Sequence, residues 1–137
     1  MARDTYPIHI RFNDLDSYGI VNNAVYITYF EEGRKLWFQD RVGAKWDWQR
    51  HGVLLARHEI DYLLPLTLSD EAEIELGIGK VGKKSFEVSY VVRKLSGDSR
   101  VECTRGKSVL VCYDYQNRKT MEVPEEWRSL FEGAIKE

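Results

Sequence analysis

Apolar and polar residues alternate along much of this chain, and one long segment breaks that rhythm. In residues 6–12, Ile8, Ile10 and Phe12 fall on one side and His9 and Arg11 on the other, which predicts a short strand. Residues 71–78 alternate again, with Ala72, Ile74, Leu76 and Ile78 inward and Glu71, Glu73 and Glu75 outward. Residues 85–94 repeat the pattern through Phe86, Val88, Tyr90 and Val92. Residues 53–63, ending before Pro65, and residues 101–113 read as longer strands, with Gly106 a candidate bulge. Residues 79–84 predict a turn, Ser96-Gly97-Asp98 a hairpin loop, and Asn117 a further turn. A short helical or irregular piece is expected over residues 44–51. Pro124-Glu125-Glu126 predicts a closing helix, with Pro at its first position and acids in its first turn, ending near Gly133.

The exception is a helical period that starts at Asn22 or Asn23 and runs to about residue 40. At about 100° per residue, Thr28, Glu31, Glu32, Lys35 and Gln39 share one narrow stripe. Tyr26, Phe30, Gly33 and Trp37 lie opposite, flanked by Val25, Tyr29 and Leu36 on one side and Ile27 and Phe38 on the other. A helix lying on a surface needs a narrower apolar face than this. The pattern predicts a helix wrapped by other structure, with Gly33 marking a close backbone approach and Arg34 needing a partner. The chain therefore predicts one strand, one buried helix and a meander of antiparallel strands: a single α+β domain over residues 1–137. A chain of this size leaves part of the helix and a sheet edge uncovered. A dimer that joins two sheets edge to edge covers both.

Composition narrows the function by exclusion. Net charge is -2, so no basic field recruits nucleic acid or anionic lipid. The apolar runs near residues 53–56 and 63–66 are too short to span a bilayer, and the first residues carry no apolar signal segment. The two cysteines, Cys103 and Cys112, show neither a disulfide framework nor a metal spacing. No cofactor is implied, and a reducing cytoplasm is the expected compartment. His9, His51 and His58 have no Ser or Cys at a spacing that suggests a triad.

The chemistry concentrates in residues 11–23. There an extended segment ends in Asp14 and Asp16, turns at Gly19 and enters the helix at Asn22-Asn23. Asn caps a helix by accepting a backbone N–H of the first turn, and the remaining N–H groups there are free donors. A carboxylate beside such donors is suited to attack a polarised carbonyl, or to direct water at one.

The run Asp14-x-Asp16-x-x-Gly19-Ile20-Val21-Asn22-Asn23-x-x-Tyr26-x-x-Tyr29-Phe30-Glu31-x-x-Arg34 resembles the signature of the 4-hydroxybenzoyl-CoA thioesterase family of hotdog-fold acyl-CoA thioesterases. Ile60-x-Tyr62-x-x-Pro65, Lys83-Lys84-Ser85-Phe86 and Val123-Pro124-Glu125-Glu126 are similar to later segments of that family. The resemblance implies a hotdog fold: a curved antiparallel sheet wrapped around one long central helix, with a short C-terminal helix, assembled as homodimers or homotetramers. It implies hydrolysis of an acyl-CoA to a free acid and coenzyme A; an acyl carrier protein is the alternative donor, and a non-catalytic acyl-CoA binding module the alternative role. By position it assigns Asp16, ahead of Asp14, as the catalytic carboxylate, nucleophile or general base. It assigns the Asn23 backbone N–H as the donor that polarises the thioester carbonyl. Gly19, Ile20, Val21, Asn22 and Tyr26 are the candidate substrate-binding residues, and Lys83 and Lys84 are candidates for the nucleotide phosphates. Ile20 stands where many fatty-acyl members carry His, as in aryl-CoA members, whereas Asn22-Asn23 resembles the fatty-acyl type. The acyl preference is thus left open. Glu31 and Glu32, on the polar stripe, are expected to be solvated or interface residues.

Overall fold

The computed structural model describes residues 4–43 and 45–133. Along it run strand β1 (Thr5–Ile8), a 3-10 turn (Phe12–Asp14), helix α1 (Val25–Arg41), strands β2 (His51–Tyr62), β3 (Ala72–Val81), β4 (Ser85–Ser96), β5 (Ser99–Asp114) and β6 (Lys119–Thr120), and helix α2 (Glu125–Glu132). The sheet order is β1-β3-β4-β5-β2, and β6 pairs with β5. The expected elements are present, with β6 added.

Strand β1 stops earlier than its alternation predicts. It pairs antiparallel with β3 from Thr5 opposite Glu75 to Ile8 opposite Ala72. Ala72 is where β3 begins, so beyond Ile8 no neighbouring strand supplies hydrogen bonds. The chain turns away instead, and Phe12, expected on the same side of the strand as Ile8 and Ile10, is 76% exposed.

The residues group into two compact units. The first holds the described residues of Met1–Trp37 with Ile60–Leu76 and Tyr90–Gly106; the second holds those of Phe38–Glu59, Gly77–Ser89 and Lys107–Glu137.

In the first unit, the inner face of α1 contributes Tyr26, Tyr29, Phe30 and Trp37, all buried. Phe30 stacks on Tyr90 with ring centroids 4.0 Å apart and planes within 1°. Arg34 donates to the Tyr90 hydroxyl at 2.9 Å, which gives the half-buried cation the partner it needs. Gly33 is a close approach: an added Cβ would lie 3.1 Å from Leu76 Cδ1 and 3.3 Å from Ile74 Cγ2. The helix is less enclosed than its wheel suggests, because Ile27 and Leu36 on its two flanks are exposed. Ala72, Ile74 and Leu76 of β3 point inward as the alternation requires. Glu73 lies on the opposite face from Ala72 and Ile74, as the alternation predicts, but it is not solvated there. It is buried, and its carboxylate accepts Arg100 Nε at 2.8 Å.

The second unit is organised by aromatic rings. Phe38, at the end of α1, packs 5.3–6.4 Å from Trp48, Phe86, Trp127 and Phe131. Trp127 and Phe131 lie four residues apart on α2, so both fall on its buried face. Two acids occupy the first turn of that helix and Gly133 ends it, as the sequence predicts, whereas Pro124 is the N-cap, one residue before the first helical position expected for it. Arg128 donates to the carbonyls of Gly82 and Lys83 at 2.7 and 3.0 Å. β3 continues through Val81, so the turn expected from Gly79 begins at Gly82. Residues 45–50 form turns, the irregular alternative of the piece expected there, and Ala44, where it was expected to begin, lies outside the described residues. So do Met1–Arg3, on which the signal-segment expectation rests. Among the described residues no helix is long and apolar enough to cross a membrane.

Candidate active site

Residues 15–21 form a small closed loop in the first unit. Leu15 and Val21 are bridged antiparallel, Asp16 N–H donates to Ile20 O at 2.8 Å, and Gly19 N–H donates to Asp16 O at 3.1 Å. The turn has Asp at its first position and Gly at its fourth, the residue types that favour this geometry. Gly19 has φ +80°, a backbone conformation that L side chains rarely adopt. A second segment then clamps the loop: Val21 N–H donates to Leu66 O at 2.9 Å, and Ile20 is bridged to Thr67.

Within this loop the two carboxylates have separate tasks. Asp14 is buried. Its Oδ2 accepts the Tyr29 hydroxyl at 2.8 Å and the Arg11 N–H at 2.9 Å, and its carbonyl accepts Asn22 N–H at 2.9 Å. It joins the 3-10 turn to α1. Burial and the neighbouring Asp14 carboxylate push the Tyr29 hydroxyl well above the usual tyrosine range, so it stays protonated and donates. Asp16 is half-buried. Its Oδ1 accepts Tyr18 N–H at 2.8 Å and Ile20 N–H at 3.4 Å. Among the described residues nothing hydrogen-bonds its Oδ2. One oxygen is thus anchored by backbone donors while the other is available.

The helix entry is capped as the paired Asn residues predict. Asn22 Oδ1 accepts Ala24 N–H at 2.9 Å, and Asn22 O accepts Val25 N–H at 2.9 Å. The regular helix therefore starts at Val25, a little beyond the expected Asn22 or Asn23. Among the described residues no acceptor takes the Asn23 N–H.

Asp16, Ile20, Val21, Asn23 and Tyr26 line one cleft of about 420 Å³ together with Tyr62, Leu63, Leu64 and Pro65. Five of the predicted residues are thereby brought together. Gly19 and Asn22 shape the cleft through turn and cap without lining it. Lys83 and Lys84 are not among the lining residues. They sit at the end of the β3–β4 turn of the second unit, where Lys83 pairs with Glu122 at 3.5 Å and Lys84 donates to Thr120 at 3.4 Å. The wall from Tyr62 to Pro65 was not singled out as part of the site, although Ile60-x-Tyr62-x-x-Pro65 carried part of the family resemblance. The Tyr26 ring meets Tyr62 edge to face at 5.4 Å, and burial raises the pKa of both hydroxyls. Both therefore act as neutral groups at physiological pH.

Other candidates are accounted for elsewhere. Glu31 is exposed, and Glu32 is half-buried and meets Arg11 at 3.4 Å. His58 Nδ1 lies 2.8 Å from Ser108 Oγ, a contact that sequence spacing did not suggest; Ser108 is wholly buried, so it cannot meet a substrate. Among the described residues there is no cluster of three His, Cys, Asp or Glu side chains that could hold a metal ion.

A family model described as the thioesterase-like superfamily matches residues 10–131. A thioesterase of Thermus thermophilus, solved with coenzyme A and zinc, is 29% identical, with a TM-score of 0.79 over 94% of this chain and 91% of that one. A 1,4-dihydroxy-2-naphthoyl-CoA thioesterase from Synechocystis is 19% identical, with a TM-score of 0.80 over 93% of both chains. Among sequence relatives, a chloroplastic acyl-acyl carrier protein thioesterase of Arabidopsis thaliana is 28% identical over 127 residues, 90% of this chain and 65% of that protein. The expected hotdog fold is the observed one.

Proposed function

Because the chain belongs to the thioesterase-like superfamily, whose chemistry is thioester hydrolysis, we propose that it hydrolyses an acyl-CoA to a free carboxylic acid and coenzyme A. The observation that carries this reading is the cleft lined by Asp16 and Asn23, whose Oδ2 and backbone N–H are without partners among the described residues. A thioester carbonyl is already activated, since sulfur donates weakly into it. It needs a donor for the developing oxyanion and an oxygen nucleophile. The Asn23 N–H, at the positive end of α1, is the donor; one such bond is worth about 3 kcal/mol in the transition state. Asp16 Oδ2 supplies the second function. As nucleophile it forms an acyl-aspartyl anhydride with release of the CoA thiolate, which water then opens to the acid. As general base it takes a proton from water, which adds to the carbonyl carbon; the tetrahedral intermediate then expels the CoA thiolate, which is protonated, and leaves the acid. Ile20, Val21 and Tyr26 form the apolar wall for the acyl group. The finer assignment to the 4-hydroxybenzoyl-CoA thioesterase family rests on the residue run from Asp14 to Arg34 and is part of the same proposal.

Carrier-protein thioesters are the second donor class, favoured by the likeness to the Arabidopsis enzyme. We read residues 1–137 as one domain that works as a homodimer or homotetramer in the cytoplasm. β2 ends the sheet order, and Leu54, Leu55, Leu63 and Leu64 on or beside it are exposed. Light scattering is expected to return an even multiple of the 16.1 kDa chain.

The test is thiol release from a panel of aryl, short-chain and long-chain acyl-CoAs and their carrier-protein counterparts, with calorimetry on a non-hydrolysable thioether analogue. Turnover of at least one CoA thioester is expected. Tight analogue binding without turnover of any thioester overturns the enzymatic reading in favour of a binding module. Faster turnover of carrier thioesters throughout moves the donor to the carrier protein.

A further inference from the structure

Asn23 lies two residues before the start of α1 at Val25, and its two flanking peptide units are held in different ways. The unit before it is fixed by Val25 N–H on Asn22 O at 2.9 Å. The unit after it is held at both ends. Its N–H, on Ala24, donates to Asn22 Oδ1 at 2.9 Å, and its carbonyl, Asn23 O, accepts the Tyr62 hydroxyl at 2.8 Å. Three hydrogen bonds thus fix the backbone on either side of Asn23 and leave its own N–H over. Two of them are local to the cap. The third comes from a residue 39 positions away, at the last position of an edge strand.

Tyr62 is built to hold that position. Its backbone is secured just beyond the ring, where Leu63 and Leu64 N–H both donate to Cys103 O at 2.8 and 3.0 Å. Its ring is seated edge-on against buried Tyr26, 5.4 Å between centroids, and Tyr26 in turn meets Tyr29 at 5.7 Å. The residue is 49% exposed, so a simple filling role does not explain why its hydroxyl engages a backbone carbonyl. Burial of that hydroxyl raises its pKa, which keeps it a donor across the physiological range.

We propose that Tyr62 is a positioning residue: through Asn23 O it fixes the direction of the Asn23 N–H that polarises the substrate carbonyl. This rests on the thioesterase reading of the cleft. Removing the hydroxyl while keeping the ring leaves the apolar wall and the Tyr26 contact in place, so ground-state binding is retained. What is lost is the orientation of one donor that acts in the transition state, and small misplacements of such groups cost one to two orders of magnitude in rate.

The experiment compares Tyr62→Phe with wild type on the thioester that wild type hydrolyses best, with amide hydrogen exchange of Ala24 as a second readout. The expected result is a fall in kcat of roughly ten- to hundredfold with KM within about twofold, and faster exchange of the Ala24 amide. Tyr62→Leu, which removes the ring as well, is expected to raise KM in addition. A kcat within about twofold of wild type, or a KM that rises in proportion to any loss, overturns the proposal. Should wild type hydrolyse no thioester, the functional reading fails first. Unchanged Ala24 exchange in Tyr62→Phe then overturns the clamp independently, and faster exchange upholds the clamp apart from the chemistry.

Discussion

Tyr29→Phe isolates the physical role assigned to Asp14. The substitution removes one oxygen from a side chain that is 1% exposed, and leaves the Asp14 carboxylate with the Arg11 N–H as its remaining donor on Oδ2. A hydrogen bond to a charged group contributes about 1.5–3 kcal/mol, so a loss of about 2 kcal/mol is expected at pH 7.5. At a urea slope of about 1.5 kcal/mol/M this moves the midpoint down by roughly 1.3 M. The loss carries a pH signature. The Tyr29 pKa is raised in the folded state, so its contribution is complete below the unfolded tyrosine value near 10 and is lost as pH rises toward the folded one. In wild type the unfolded Tyr29 ionises above pH 10 while the folded one keeps its proton. That lowers wild-type stability by about 1.4 kcal/mol by pH 11. The variant lacks this term. The gap between the two proteins should therefore shrink from about 2 kcal/mol at pH 7.5 to about 0.6 kcal/mol at pH 11. Urea titrations followed by circular dichroism at both pH values measure it. A gap of the same size at both, or one below about 0.5 kcal/mol at pH 7.5, refutes the reasoning.

Substitutions at three further positions test the packing and capping within the two units. Asn22→Ala removes the acceptor for Ala24 N–H and should cost about 1 kcal/mol in urea denaturation, whereas Asn22→Asp, which keeps the acceptor, should stay within about 0.5 kcal/mol of wild type. Gly33→Val drives a branched side chain into Leu76 and Ile74, whose atoms already stand 3.1–3.4 Å from an added Cβ, so a loss above about 2 kcal/mol is expected from thermal melts. Phe131→Ala empties a wholly buried position 4.6 Å from the Phe86 ring and should cost about 3–5 kcal/mol, read by the same melts.

What the sequence made legible is local. The alternation in β3 and β4 named their inward residues correctly, because a strand shows each face at every second position. Pro124 and Gly133 marked the two ends of α2, and Asn22 marked the cap of α1. The Asp16–Gly19 turn was visible because only certain residue types fit its backbone. What stayed hidden depends on partners distant in the chain. The alternation of residues 6–12 gives no sign that β3 starts at Ala72 and leaves Ile10 and Phe12 without a neighbour. Glu73 reads as a solvated acid, and the alternation gives no sign that Arg100 covers it. Ile27 and Leu36 lie on the apolar arc of the wheel yet are exposed in the structure. The resemblance put Asp16 ahead of Asp14, but the physical ground for that choice, the Tyr29 hydroxyl and Arg11 N–H that engage Asp14 Oδ2, is visible only in the structure. Tyr62 reaches the site through a contact that no local period encodes.

The central claim is that Asp16 Oδ2 performs the chemistry in the cleft. Its most direct test is the rate of thiol release by Asp16→Asn, with folding verified by circular dichroism and binding verified by calorimetry on the thioether analogue. Asn keeps an Oδ1 for the Tyr18 and Ile20 N–H groups but offers neither a nucleophilic nor a basic oxygen. A fall in kcat of about a hundredfold or more is expected, with analogue binding retained. A folded variant that hydrolyses the substrate as fast as wild type contradicts it.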